Sequence, residues 1–331
     1  MERLGFVQAD PIQSPARAHD LILRQRVSDY RVGDIEEQYQ ALKLEEDRLY
    51  AFGFMPQSTW RLLHPKPSRG LSATERRVLE YVVARRRAHP DDLESLLGRK
   101  SARNAWGGRS RASTLVLQSL YHSGHLRVAG RERGIRVYEP SDNRHPPLEP
   151  KVRLRQLALK VASILGPLSE PSLHATLARV AHRAPHLKGL RSMVSELIRS
   201  GELATRVVDG IRYLWPAGQA DLQKANETVR FLAPFDPIVW DRQRFEHLWD
   251  WAYRFEAYTP AAKRQRGHYA MPMLWRHDVI GWVNVAKGSG KLVVEPGFKT
   301  KPRDRNFARE FDAEVERLAA FLQRRPGGDS T

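Results

Sequence analysis

Two stretches of this chain follow one plan, and that repeat constrains the fold more than any other feature. From Leu71, LSATERRVLEYVVARR reads as a helix that opens on Ser72 with Glu75 three residues later, a reciprocal capping pair. HPDDLESLLG is a second, short helix and RASTLVLQSLYHSG a third. HLRVAGRERGIRVYEP then reads as two strands about a glycine-containing turn. The order returns as VRLRQLALKVASILG, PSLHATLARV, LKGLRSMVSELIRSG and the hairpin GELATRVVDGIRYLWP. The glycines that end the third helices, Gly124 and Gly201, lie 77 residues apart, and the turn glycines Gly134 and Gly210 lie 76 apart.

Three helices followed by a hairpin is the layout of a winged helix, so two of them are expected in tandem, over residues 71–140 and 150–216. SDNRHPPLEP bridges them. Upstream, residues 1–64 read as a strand, GFVQ, punctuated by Pro11 and Pro15 and followed by the helix ARAHDLILRQRV. Residues 34–44 look helical, EEDRLYAFGFMP looks like strand or turn, and HPKPSRG (64–70) is a linker. Beyond Trp215 the chain turns aromatic: YRFEAYTP, HYAMPMLW, VIGWVNVAK and KLVVEP read as short strands of a β-rich module over 228–324, closed by a helix at 304–324. The expected class is α+β.

The 331 residues carry 55 Lys and Arg against 38 Asp and Glu, a net charge of +17, which points to an anionic partner, foremost nucleic acid. A winged helix brings its third helix to the major groove and its wing to the backbone. That places Arg109 and Arg111, at the start of the third helix, and Arg127, Arg131, Arg133 and Arg136, on the wing, as candidate DNA contacts. The plainer reading is a solvated basic face. No side-chain set announces a base code. AAKRQRGHY (261–269) sets Lys263, Arg264 and Arg266 beside Tyr258 and Tyr269, which suits phosphate and an unstacked base as well as it suits a charged edge strand.

With no cysteine, disulfides, thiolate metal sites and cysteine nucleophiles are all excluded. No apolar run approaches the ~20 residues of a membrane helix, and MERLGFVQAD has no signal-peptide core. A cytoplasmic, nucleoid-associated monomer without cofactor or metal is expected. GSGK (288–291) lacks the spacing of a phosphate loop and reads as a hairpin turn. His182 and His186 flank a proline with no acid nearby, so they read as surface histidines.

Gln8 and Asp10 stand two apart at the first strand, where alternate side chains share a side. On the residues alone the pair reads as a turn-capping Asp beside a satisfied Gln. The segment LGFVQADPI with its following helix, the wing HLRVAGRERGIRVYEP, and above all LAPFDPIVWDRQRFEHLWDWAYRFEAYTPAAKRQRGHYAMPML change that balance. Together they resemble the bacterial winged-helix DNA glycosylases that unhook interstrand crosslinks, the YcaQ/AlkZ type with a Gln-x-Asp motif. The resemblance runs over nearly the whole chain.

It implies hydrolysis of the N-glycosidic bond of N7-alkylated purines or crosslinked bases in double-stranded DNA. It makes Gln8 and Asp10 catalytic, lets Glu256 and Tyr258 line the site, has Trp240, Asp241 and Arg242 build its wall, and gives Lys263, Arg264 and Arg266 to phosphate. Two departures stand out. The family carries about one further helical unit upstream of the Gln-x-Asp strand, where seven residues precede Gln8 here, so either the start lies further upstream or 1–64 holds a truncated winged helix. Tyr50 and Ala51 stand where the family has His and Glu, which places Tyr50 at the site. The rival expectation is a non-catalytic winged-helix DNA-binding protein, a regulator or a degenerate glycosylase.

Overall fold

The first strand sits where a glycine lets it. In β1 (Val7–Gln8), Gln8 pairs with Gly53. A Cβ on Gly53 would fall 2.1 Å from the Val7 carbonyl oxygen and 2.6 Å from the Phe6 ring, so no other residue fits. The computed structural model describes residues 1–323 other than 65, 67–69, 104–107, 133, 142–147, 220–226 and 288–290. After β1 come α1 (Ala18–Leu23), α2 (Asp34–Glu37), β2 (Leu44–Arg48), β3 (Phe52–Pro56) and α3 (Gln57–Leu63), with the sheet ordered β1-β3-β2, all antiparallel. The helix expected over 34–44 stops at Glu37. Turns follow to Lys43, whose positive φ cannot continue a helix.

The first repeat unit holds α4 (Ala73–Arg85), a 3-10 turn over Pro90–Leu93, α5 (Glu94–Leu97), β4 (Ser101–Arg103), β5 (Arg109–Arg111), α6 (Ala112–His122), and the hairpin β6 (Leu126–Glu132) and β7 (Ile135–Pro140). Ser72 and Glu75 form the capping box of α4. The β4–β5 pair has no counterpart in the repeat pattern; it places Arg109 and Arg111 on a strand that leads into α6. The second unit holds α7 (Pro150–Leu165), β8 (Leu168–Ser169), α8 (Glu170–Arg183), a 3-10 turn over Leu190–Ser192, α9 (Met193–Arg199), and the hairpin β9 (Leu203–Val208) and β10 (Ile211–Pro216). Its sheet runs β8-β10-β9.

The C-terminal part comprises β11 (Val229–Phe231), α10 (Pro237–Trp240), α11 (Arg242–Trp249), β12 (Met271–Trp275), β13 (Asp278–Lys287), β14 (Leu292–Phe298) and α12 (Arg305–Leu322), with one sheet in that sequential order. YRFEAYTP forms no strand, and 261–263 is a 3-10 turn rather than a strand edge, for a reason given below. No helix among the described residues is long and apolar enough to cross a membrane.

The cores tie these parts together. One joins Val7, Ile22 and Phe54 to Val78, Leu117 and Tyr138 of the first unit and to Phe231, Met273 and Phe321 of the C-terminal part. Another joins Phe6, Met55 and Leu62 to Leu157, Leu173 and Val194 of the second unit. Adjacent residues Phe6 and Val7 therefore enter different cores, as strand alternation requires. Gln8, two on from Phe6, is directed toward the second unit. A buried carboxylate, Glu314 on α12, accepts hydrogen bonds from Arg24, Gln25, the Phe231 amide and Arg317, and so fastens α1 to the C-terminal sheet.

Candidate active-site cleft

Gln8 opens into a cleft of about 720 Å³. Its walls come from three parts of the chain: Gln8, Tyr50 and Ala51 from the N-terminal segment; Pro171, Ser172, Ala175, Thr176 and Arg179 from one stripe of α8; and Phe235 and 240–243 from the C-terminal part. Spacings of three and four along α8 keep those side chains on a single face. The cleft-facing helix is thus the second of its repeat unit, not the third.

Several wall residues are held from behind. Tyr50 stands edge-on between Phe6 and Trp240, at centroid distances of 4.9 and 4.7 Å. Burial, and then the nearby Asp236 carboxylate, push its phenol far above the usual range, so it stays neutral. Trp240 ends α10, whose cap Asp236 accepts the Ile238 amide at 2.9 Å and is gripped by Arg26 through two hydrogen bonds of 2.7 and 2.8 Å. Arg242 donates to the carbonyls of Val239 (2.7 Å) and Pro234 (2.9 Å) and lies over the Tyr253 ring, so it shapes the wall rather than offering a free cation. Arg244, buried, donates to four carbonyls, of Leu165, Pro167, Pro237 and Ile238, and so bolts the wall to the end of α7. Sequence reasoning missed Arg26, Asp236 and Arg244. The run FDPIVWDRQR carried a signal, since an Asp before a proline at the first helical turn marks a cap.

Two buried acceptors at the cleft have no donor among the described residues. They are Gln8 Oε1 and Asp241 Oδ2. Asp241 Oδ1 is engaged with the amides of Gln243 and Arg244 at the start of α11. Arg179 is exposed, lies 5.5 Å from the Trp240 ring, and meets no carboxylate among the described residues.

Asp10 lies just past β1. The ladder ends at Gln8, with one more bond from the Ala9 amide to the Phe52 carbonyl, so strand alternation places Gln8 but does not reach Asp10. Asp10 Oδ1 accepts the Ile12 amide at 3.0 Å, as an Asx turn does. The Tyr269 phenol, buried and without a hydrogen-bond partner among the described residues, is pushed up by burial and then by the Asp10 charge.

Glu256 and Tyr258, expected on the wall, stand outside it. Glu256 turns into its own loop and accepts the backbone amides of Gln265, Arg266 and Gly267. That clamp replaces the ladder a strand would have made. Burial works against its ionisation, but the three donors outweigh it and hold the carboxyl below its usual range. Tyr258 is exposed. Lys263 is exposed, Arg264 donates to the Thr259 carbonyl at 2.8 Å, and Arg266 lies over the adjoining rings of Trp251 (5.1 Å) and Trp282 (5.7 Å). Of the three, Lys263 is the freest for phosphate.

The basic residues of the first unit are largely committed elsewhere. Arg131 and Arg136 both bind Glu46, a fully buried carboxylate of β2, at 2.7–2.9 Å. Arg127 pairs with Glu45 and Glu139. These guanidiniums face the N-terminal sheet, which corrects the expectation that Arg131 sits on a free wing. Arg111 pairs with Asp91 and Glu94, and Arg109 donates to Ser101 Oγ. Arg133 lies outside the described residues.

One cluster has metal-ligand types: His19, Asp20 and Glu36, with donor atoms within 4.8 Å of one another. Arg17 stands 2.6 Å from Glu36 and 3.3 Å from Asp20, and Tyr30 and the Gly33 amide complete Asp20, so a cation is already in place. His186 meets Arg153 at 3.3 Å.

A family model described as DNA glycosylase AlkZ-like matches residues 1–321. Among solved structures, the chain is similar to the DNA glycosylase AlkZ of Streptomyces sahachiroi, at 16% sequence identity and a TM-score of 0.60, over 98% of this chain and 91% of that one. At that identity the likeness is one of fold.

Proposed function

Since the chain belongs to the AlkZ-like DNA glycosylases, an enzyme family that hydrolyses the N-glycosidic bond of DNA bases, we propose that Gln8 and Asp10 perform that hydrolysis on N7-alkylated purines and crosslinked bases in duplex DNA. An N7-alkylguanine is already cationic. When its C1′–N9 bond breaks, the electron pair neutralises the departing base, which needs no acid. Positive charge then grows on the sugar, where an ionised Asp10 stabilises it. Water adds to C1′ and its proton passes to the Asp10 carboxylate. Gln8 orients the water or the sugar.

The observation that carries this reading is the buried, donor-free Gln8 Oε1 on the wall of the cleft. A buried acceptor without a partner is costly in the empty protein and is satisfied by a substrate or a water held there. Tyr50, Trp240, Asp241 and Arg242 supply a rigid, largely aromatic wall. In the same proposal, residues 71–140 and 150–216 are two winged helices joined to the segment 1–64 and to the module 228–324. Their support is the order of three helices and a hairpin in each unit. The protein acts as a monomer on nucleoid DNA. No observation favours the rival reading as a regulator.

Single-turnover base release from duplexes bearing N7-methylguanine or a nitrogen-mustard crosslink tests the assignment. Asp10→Asn should slow release by about 10²-fold or more, the usual contribution of a positioned base, with DNA affinity nearly unchanged. Loss of affinity in parallel with activity would make Asp10 a structural residue and sink the assignment.

A further inference from the structure

Tyr258 is 80% exposed, whereas the other exposed large apolar side chains reach 61% at most, at Val207. Exposed aromatics usually sit on mobile chain, but the loop beneath this one is tied at every turn. The Thr259 amide donates to the Glu256 carbonyl at 3.0 Å, and the Lys263 amide to that of Pro260 at 2.8 Å. Arg264 Nε reaches back to Thr259. Glu256 holds the three amides of 265–267, and Asn284 Nδ2 donates to the Arg266 carbonyl at 2.6 Å. The loop has the bonding of a designed support, without regular secondary structure.

The rings behind Tyr258 lead to the chemistry. Phe255 meets Tyr258 edge-on at 6.2 Å, Phe235 at 4.9 Å and Tyr269 at 5.4 Å. Phe235 lines the same cleft as Gln8. Two ring contacts therefore link the exposed phenol to the cleft wall that holds Gln8. Lys263, exposed, projects from the same loop.

We propose that Tyr258 is a stacking wedge, a rigidly mounted ring that inserts against a base beside the lesion and opens the helix there so that the glycosidic bond reaches Gln8 and Asp10. Apolar wedges kink DNA by partly unstacking a base step, and an aromatic ring against a base is a sequence-tolerant contact. A wedge explains why an exposed ring is held so firmly: a floppy one would lose its ordering entropy again on each insertion. The proposal rests on the glycosylase reading for its purpose but not for its test.

The test uses duplex DNA with 2-aminopurine flanking a stable tetrahydrofuran abasic analogue, and in parallel the N7-methylguanine duplex. Wild type should raise 2-aminopurine fluorescence on binding. Tyr258→Ala should abolish that rise, weaken binding by ~10-fold or more, the scale of one lost base–ring stack, and slow base release, with an unchanged melting temperature because the side chain supports no core. Tyr258→Trp should keep the rise. A fluorescence rise that persists in Tyr258→Ala overturns the wedge. If that rise depends on Tyr258 but wild type releases no base, the wedge stands and the glycosylase assignment falls; if base is released and the rise ignores Tyr258, the reverse holds.

Discussion

The two repeat units share a layout but not a task. In the first, the hairpin arginines Arg131 and Arg136 turn inward to Glu46, and Arg127 to Glu45. In the second, the hairpin carries an exposed Val207, Arg212 meets the half-exposed Glu170, and α8 presents Arg179 to the cleft. No carboxylate is buried among the described residues of the second unit, whereas the first is latched onto the run LEEDR of β2. A basic residue on a repeated layout is thus left exposed or pinned in an ion pair according to what packs beside it. The first unit is pinned to the N-terminal sheet; the second walls the cleft.

The sharpest way to break this comparison is Glu46→Ala. It strands two guanidiniums against the N-terminal sheet and should cost about 3 kcal/mol, toward the lower end for removing one partner of a buried ion pair because the arginines are partly wet. Thermal or urea unfolding would report it. A loss below 1 kcal/mol would mean the latch is ornamental.

Acid should act on the same side of the molecule. Burial alone would raise the Asp47 pKa, but the His64 hydrogen bond (2.8 Å) and Lys66 (2.9 Å) outweigh it and hold it at about 2. A carboxyl depressed in the folded state stabilises the fold above its unfolded pKa and loses that stabilisation as pH falls through the folded value. Roughly 2 kcal/mol should therefore disappear between about pH 4 and pH 2, and Asp47→Asn should flatten that part of the profile. If the slope survives the substitution, another acid is responsible.

DNA binding should separate the units from the other direction. Arg179→Ala should lower the slope of log affinity against log salt by about 0.9, one phosphate contact, with the fold intact. Arg131→Ala should leave the slope alone and lower the melting temperature. The opposite pattern would return the first unit's wing to the DNA. The smallest effect belongs to Glu170→Ala, which breaks the solvated pair with Arg212 and should change stability by no more than about 0.5 kcal/mol.

Much of this was legible in the chain itself. Helix periodicity, the Ser72–Glu75 cap and the paired glycines are local signals, and local geometry made the elements they announce. The Gln-x-Asp segment and the FDPIVWD run marked the cleft through their family resemblance, while the Asp236 cap before Pro237 was a local signal of its own. What depended on residues far apart was not legible. Nothing near Arg131 in sequence announces Glu46, 85 positions away; nothing near Glu256 announces that it clamps a loop instead of facing substrate; and the β4–β5 insertion follows no repeat. Alternation placed Gln8 by way of Phe6 and then ended before Asp10.

The sequence by itself determined the building blocks, their order and the chemical types at the site, since these rest on short-range propensity and on motif. Tertiary structure alone decided which charges stay free. An arginine's role is set by the field and burial it meets after folding, and those are properties of its neighbours in space, not of its neighbours along the chain.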